Sequence, residues 1–321
     1  MNIVLAILGL IVGFLLLVKG ADFFVEGASS IAKQLHIPAI VIGLTIVAFG
    51  TSAPELAVSI SAALKGSNDI AIGNVVGSNL FNLLVVVGLS ATIYPLHVQK
   101  SIIKKDYPIS IIAAVLLGVL AMDTLRGKSQ MQLSRVDGFI LLAGFVIFMA
   151  LVIREGLQGR QESMECEEER AIGYTLGKSI VICIIGMAGI ILGGNMVVDG
   201  AKEIARAAGL SEAFIGLTIV AFGTSLPELV TSIVAAKKGE SDISLGNVVG
   251  SNIFNIFLIL GVSGAISPMT VSGTYLYDIA ILIIISIVFF IPIAKTKKVS
   301  RGLGITMAGS YAAYMVYLFV R

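Results

Sequence analysis

The sequence predicts an all-α polytopic membrane protein with ten transmembrane helices in two inverted five-helix repeats. Three observations predict it: a charge-poor composition, ten apolar segments, and a 50-residue block that occurs twice. Of 321 residues, 57% are hydrophobic and 13% charged, about half the charge of an average soluble chain, roughly 25%. A hydrocarbon core about 30 Å thick takes about 20 helical residues per crossing.

The apolar segments run 3–18, 37–64, 70–96, 107–122, 136–153, 177–198, 210–236, 243–268, 275–294 and 303–320. The first, MNIVLAILGLIVGFLLLVK, has no basic leader and no small-residue cleavage site, so it is expected to be a span and not a removed signal peptide. The second, third, seventh and eighth are longer, as tilted or interrupted helices require. The one substantial polar stretch, EGLQGRQESMECEEERAIGYTLGK at 155–178, divides the chain. The expected organisation is a first repeat over 1–154, a linker loop over 155–176 and a second repeat over 177–321.

Basic residues set the orientation, because Lys and Arg collect in cytoplasmic connections. With the N-terminus outside, the connections after spans one, three, five, seven and nine hold 15 of the 22 Lys and Arg, leaving 7 outside. Both termini are expected outside a cell membrane. The net charge of +2 is spread over short connections, so nucleic acid is not an expected partner. No phosphate-cradling glycine motif is present, so no nucleotide is expected. Cys166 and Cys183 suggest neither a disulfide framework nor a thiolate site.

Residues 42–91 align without a gap to 215–264, at an offset of 173 and with 33 of 50 positions identical. GADFFVEGA against GGNMVVDGA extends the match upstream. Five spans separate the copies, so the second enters the membrane from the opposite side. Inverted repeats of this kind place a binding site at the midplane where the halves meet.

Each copy carries Pro-Glu inside an apolar run, GTSAPE at 50–55 and GTSLPE at 223–228. Pro54 and Pro227 have no N–H, so each helix must kink or unwind near Gly50 and Gly223. Carbonyls freed at membrane depth need another partner, such as a cation or a water-lined cavity. Thr51, Glu55 and Ser59 then share one helical stripe, as do Thr224, Glu228 and Ser232. The following motif, GNVVGSN(L/I)FN, places Asn74, Ser78 and Asn82 on one face, and Asn247, Ser251 and Asn255 on its counterpart. Gly73 with Gly77, and Gly246 with Gly250, allow close backbone approach. Asp69 and Asp242 are expected to be helix N-caps.

Carboxylates, hydroxyls, amide oxygens and loosened carbonyls, without Cys or His, form a hard-cation site. No Lys or Arg lies in 37–64 or 210–236 to neutralise Glu55 or Glu228, and an unpaired glutamate in a membrane helix marks function. Two glutamates balance one Ca²⁺, and Na⁺ competes for the same oxygens. The acidic run ECEEER at 165–170 lacks the spacing of a calcium loop and is expected to be solvated. His36 and His97 lie near segment ends as interfacial residues.

The paired GTS(A/L)PE and GNVVGSN(L/I)FN motifs resemble the two alpha-repeats of the cation/calcium antiporter superfamily, the sodium/calcium exchangers, in a form without large regulatory domains. The resemblance implies coordination of Na⁺ and Ca²⁺ by Thr51, Ser52, Glu55, Ser78 and Asn82, with Thr224, Ser225, Glu228, Ser251 and Asn255. It adds backbone oxygens near Ala48 and Ala221. It implies a transporter and not an enzyme, with no prosthetic group, working as a monomer in a lipid bilayer and exchanging about three Na⁺ for one Ca²⁺ electrogenically. The amide at Asn255, where potassium-dependent members have Asp, argues against potassium dependence.

The expected mechanism is alternating access, with the glycine-rich first and sixth segments moving. A proton/Ca²⁺ exchanger is the alternative, since paired carboxylates also bind protons. A passive cation channel is less favoured, because an inverted repeat builds a whole site in one chain. An intramembrane enzyme lacks its motifs here, with no H-E-x-x-H and no His near the serines.

Overall fold

The computed structural model describes residues 3–65, 68–122, 131–165, 174–209 and 221–320. The helices are α1 (Ile3–Leu35), α2 (Ala39–Thr51), α3 (Ala53–Leu64), α4 (Ile70–Ile93), α5 (Tyr107–Ala121) and α6 (Arg135–Glu165). The second half supplies α7 (Leu176–Ala207), α8 (Ala221–Thr224), α9 (Leu226–Lys237), α10 (Ser241–Ile266), α11 (Gly273–Thr296) and α12 (Arg301–Val320). Among the described residues, α1, α4, α6, α7, α10 and α11 are each long and apolar enough to cross a membrane, and α2 with α3 is so only as a bent pair, a broken span or a re-entrant loop.

Two elements outrun the apolar text. The expected first segment ends at 18, yet α1 continues to Leu35, because nothing breaks a helix before His36, whose φ of 56° is left-handed, and Pro38. The expected linker loop begins at 155, yet α6 continues to Glu165; polar residues such as Gln158, Arg160 and Gln161 are good helix formers. The acidic run beyond Glu165, with Cys166, and residues 210–220 of the seventh segment lie outside the described residues.

The outward surface is apolar. Val136, Phe139, Val146 and Ile147 of α6 are each more than 60% exposed, and α1, α7 and α11 present similar faces to lipid. The central helices differ: α4 and α10 are 72% and 78% buried across their apolar windows, against 22–33% for the four outer ones. Polar side chains gather inside, so the molecule is lined with oxygens and coated with hydrocarbon.

α1 and α7 pack antiparallel along a glycine seam. Gly13, Gly20 and Gly27 on α1 correspond at the repeat offset to Gly186, Gly193 and Gly200 on α7. A Cβ on Gly186 would stand 2.4 Å from the Phe24 nitrogen, and one on Gly193 2.5 Å from that of Leu17. Lipid offers no hydrophobic drive for helices to associate, so this backbone approach supplies the contact. Cys183, a free thiol, sits in the same seam against Gly27.

Two short antiparallel ribbons tie the halves together: Leu96–His97 pairs with Lys298–Val299, and Gln132–Leu133 with Met269–Thr270. Each ribbon takes one strand from each half. Gly186→Val should separate α1 from α7 and destabilise the protein by about 2 kcal/mol, read as a lower melting temperature in detergent. Gly9→Val, on α1 with nothing within 4 Å of its Cβ position, should leave it unchanged.

Candidate ion site

The site is made where two broken helices meet. Pro54 takes an early position in α3, where its missing N–H does no harm, so the break falls at Ser52 with φ −81° and ψ 3°. α2 and α3 bend by 49° there. Ser225 makes the equivalent break, with φ −93° and ψ 5°, before Pro227. Glu55 and Glu228 therefore stand in the first turns of α3 and α9, where the positive ends of the helix dipoles favour a carboxylate.

Each glutamate is held by the other half. Ser52 Oγ donates to Glu228 Oε1 at 3.0 Å, and Ser225 Oγ donates to Glu55 Oε1 at 3.0 Å. Ser225 also contacts Ser78 Oγ at 3.1 Å, and Ser251 reaches Glu228 Oε1 at 3.4 Å. The half-buried Thr224 brings its hydroxyl beside Glu55. Thr51, fully buried, stands likewise beside Glu228 and donates to Asn247 Oδ1 at 2.9 Å. The Ser52–Glu228 and Ser225–Glu55 bonds are reciprocal, each joining residue i of one half to residue j of the other.

The second motif supplies amides. Asn82 and Asn255 lie in π-helical turns, Asn82–Val86 and Phe254–Leu260, a distortion found mostly at functional positions. Among the described residues, four buried acceptors of the two glutamates and two asparagines take no hydrogen bond: Glu55 Oε2, Glu228 Oε2, Asn82 Oδ1 and Asn255 Oδ1. A buried oxygen without a donor is costly, and neither glutamate has a basic partner among the described residues. A hard cation could supply what these oxygens lack.

Three expectations change. The Ala48 carbonyl is not freed: it accepts the Ser52 N–H at 3.0 Å and the Thr51 hydroxyl at 3.4 Å, because the break falls at Ser52, two residues beyond Gly50. Ala221 opens α8, and its side chain lies outside the described residues. Asn74 and Asn247 are clamps: their Nδ2 atoms bond Ser59 at 3.0 Å and Ser232 at 2.9 Å, and reach the Glu55 and Glu228 carbonyls at 3.3 and 3.4 Å. They steady the glutamate-bearing turns one step away from the bare oxygens. Asp242 is not an N-cap; Glu240 precedes the helix, and Asp242 accepts from Gln99 of the first half at 2.5 Å. The side chain of Asp69 lies outside the described residues.

Spacing passed over Asn79 and Asn252, which fall off the i, i+4, i+8 stripe. Both are buried and bonded between the halves. Their signal was present: an asparagine at the same place in both copies of an apolar helix. The glycine expectation holds for the second copy, where a Cβ on Gly246 would meet Gly43 Cα at 3.0 Å and one on Gly250 the Ala48 Cβ at 2.7 Å.

Hydrogen bonds to a charged group are worth about 1.5–3 kcal/mol. Ser52→Ala and Ser225→Ala should each weaken Ca²⁺ binding by about tenfold or more, and by similar factors because their bonds are equivalent. Equilibrium binding of radiolabelled Ca²⁺ to purified protein measures both.

Known proteins carry the same architecture. The family model described as sodium/calcium exchanger protein matches residues 5–154 and 178–320. The putative antiporter CaxA of Alkalimonas amylolytica is 37% identical over 316 residues, covering 96% of this chain and 97% of that one. The sodium/calcium exchanger MaX1 of Methanosarcina acetivorans is 35% identical, covering 97% of each. Among solved structures, the sodium-calcium exchanger NCX_Mj soaked with 2.5 mM Na⁺ and 1 mM Sr²⁺ superposes with a TM-score of 0.85 at 35% identity, over 98% of this chain and 99% of that one. The chain belongs to the sodium/calcium exchanger family and is a multi-pass membrane antiporter of the cation/calcium superfamily, not an enzyme.

Proposed function

We propose that the chain exchanges Ca²⁺ for Na⁺ by alternating access at the Glu55–Glu228 site. The observation that carries this is the set of four bare acceptors on Glu55, Glu228, Asn82 and Asn255, ringed by the hydroxyls of Ser52, Ser78, Ser225, Ser251 and Thr224. Two carboxylates neutralise one Ca²⁺, and neutral oxygens complete a hard-cation shell. Na⁺ ions use the same oxygens when Ca²⁺ has left. A site emptied of both keeps two unpaired carboxylates in a low-dielectric interior and does not cross, which couples the fluxes.

The ten spans in two inverted repeats, with both termini outside, suit the contacts between connections. The ribbon of Leu96–His97 with Lys298–Val299 joins the connections after spans three and nine. Gln99 reaches Asp242 and Lys238 reaches Asp22 and Glu26, again between connections on the predicted cytoplasmic side. The ribbon of Gln132–Leu133 with Met269–Thr270 joins two on the other side. A cell-membrane location fits a relative named as an inner membrane protein, YrbG of Escherichia coli, 34% identical over 317 residues.

α1 and α7 form the moving body. Their glycine seam fastens them to each other, while Lys238 with Asp22 and Ser29 with Glu240 tie α1 to the turn after α9. One chain supplies both halves of the site, so a monomer is sufficient. The acceptors are amides and hydroxyls as well as carboxylates, which favours Na⁺ over H⁺ as the coupling ion.

In liposomes, an outward Na⁺ gradient should drive uptake of radiolabelled Ca²⁺, and a pH gradient alone should not. Uptake driven by the pH gradient alone would make the protein a proton/Ca²⁺ exchanger. Glu55→Gln and Glu228→Gln should each abolish exchange; unchanged uptake in both would remove the site.

A further inference from the structure

We propose that Asn79 and Asn252 are positioning residues that dictate which end of the Asn82 and Asn255 amides faces the transported cation. The inference rests on the ion site proposed above and concerns how its neutral ligands are aimed.

A side-chain amide has an acceptor end and a donor end of nearly equal size. An Asn oxygen attracts a cation and an Asn NH₂ repels it, so a site built on asparagine must decide the rotation of each amide. Here the decision begins at main-chain carbonyls, which can only accept. Asn79 Nδ2 donates to the Asn252 carbonyl at 3.1 Å. The Asn79 Oδ1 is therefore turned the other way, where it accepts from Asn255 Nδ2 at 2.9 Å. With its NH₂ so engaged, Asn255 directs Oδ1 elsewhere, and that atom takes no hydrogen bond.

The second half repeats the sequence of steps. Asn252 Nδ2 donates to the Asn79 carbonyl at 3.4 Å, and Asn252 Oδ1 accepts from Asn82 Nδ2 at 3.2 Å. Asn82 Oδ1 is left bare. Each carbonyl has two lone pairs, so it can receive the amide while remaining in its helix. Asn79 and Asn252 are 1% and 5% exposed, so water does not compete for these bonds. Two backbone carbonyls thus set the polarity of two cation ligands, each through one intermediate amide.

The relay makes a distinctive prediction for a double-mutant cycle read by equilibrium binding of radiolabelled Ca²⁺ to the purified full-length protein. Asn252→Ala should weaken Ca²⁺ binding by about tenfold or more, the usual effect of removing a group that orients a metal ligand. In an Asn82→Ala background the same change should add nothing, since the residue acts only through Asn82. Additive losses overturn the proposal. Asn252→Asp keeps the acceptor for Asn82 and loses only the donor to the Asn79 carbonyl, so it should bind Ca²⁺ within a few-fold of the unsubstituted protein. An Asp variant weakened about tenfold or more against the unsubstituted protein also overturns it, and this arm stands even if the Ala variant does not fold. Glu55→Gln serves as the control: retained Ca²⁺ binding there defeats the site itself, whereas lost binding there with an additive cycle defeats only the relay.

Discussion

The structure depends on the pair of glutamates buried where the two halves meet, without a basic neighbour among the described residues. Charge of one sign, taken out of water, must be met by hydrogen bonds, by helix dipoles and finally by a cation. Ser52 and Ser225 hold one oxygen of each carboxylate, the first turns of α3 and α9 face the charge with their positive ends, and the remaining oxygens take no hydrogen bond, as the proposed cation site requires. The broken helices, the crossed pairing and the closely packed centre all serve this arrangement. A continuous helix could not place a hydroxyl, a helix start and a carboxylate within four residues.

The division between centre and periphery follows from the same need. α4 and α10 bring their polar stripes to the centre and are enclosed, whereas α1 and α7 lie outside against lipid and meet each other through glycine. A rigid polar centre holds a precise set of oxygens. A pair of smooth outer helices can move past it without breaking that set, because few of their side chains enter it.

Much of this was legible in the sequence, for a physical reason. A charge within an apolar run is costly and therefore conspicuous, and its return at a fixed offset revealed the two halves. Glu55, Glu228, Ser52, Ser225, Asn82 and Asn255 were singled out in that way, and the structure buries them together. Helical periodicity was less informative where the helix itself changes pitch: the π-turn at Asn82–Val86 and the break at Ser52 move side chains away from ideal stripes. That is why Ala48 keeps its helical bond and Asn79 was passed over. Element ends were also hidden, since α1 and α6 run on through polar residues that propagate a helix as readily as apolar ones.

The crossed bonds carry a consequence for the history of the chain. Ser52 and Ser225, Glu55 and Glu228, Asn79 and Asn252, and Asn82 and Asn255 are identical residues at matching positions. A homodimer of either half, meeting in the same way, would satisfy each of these bonds. Joining the halves turns a bimolecular encounter into an intramolecular one, at an effective concentration on the order of millimolar. Assembly of the site then no longer depends on how much protein the membrane holds. Fusion also releases the two copies from identity, so that one half can change a ligand while the other keeps it.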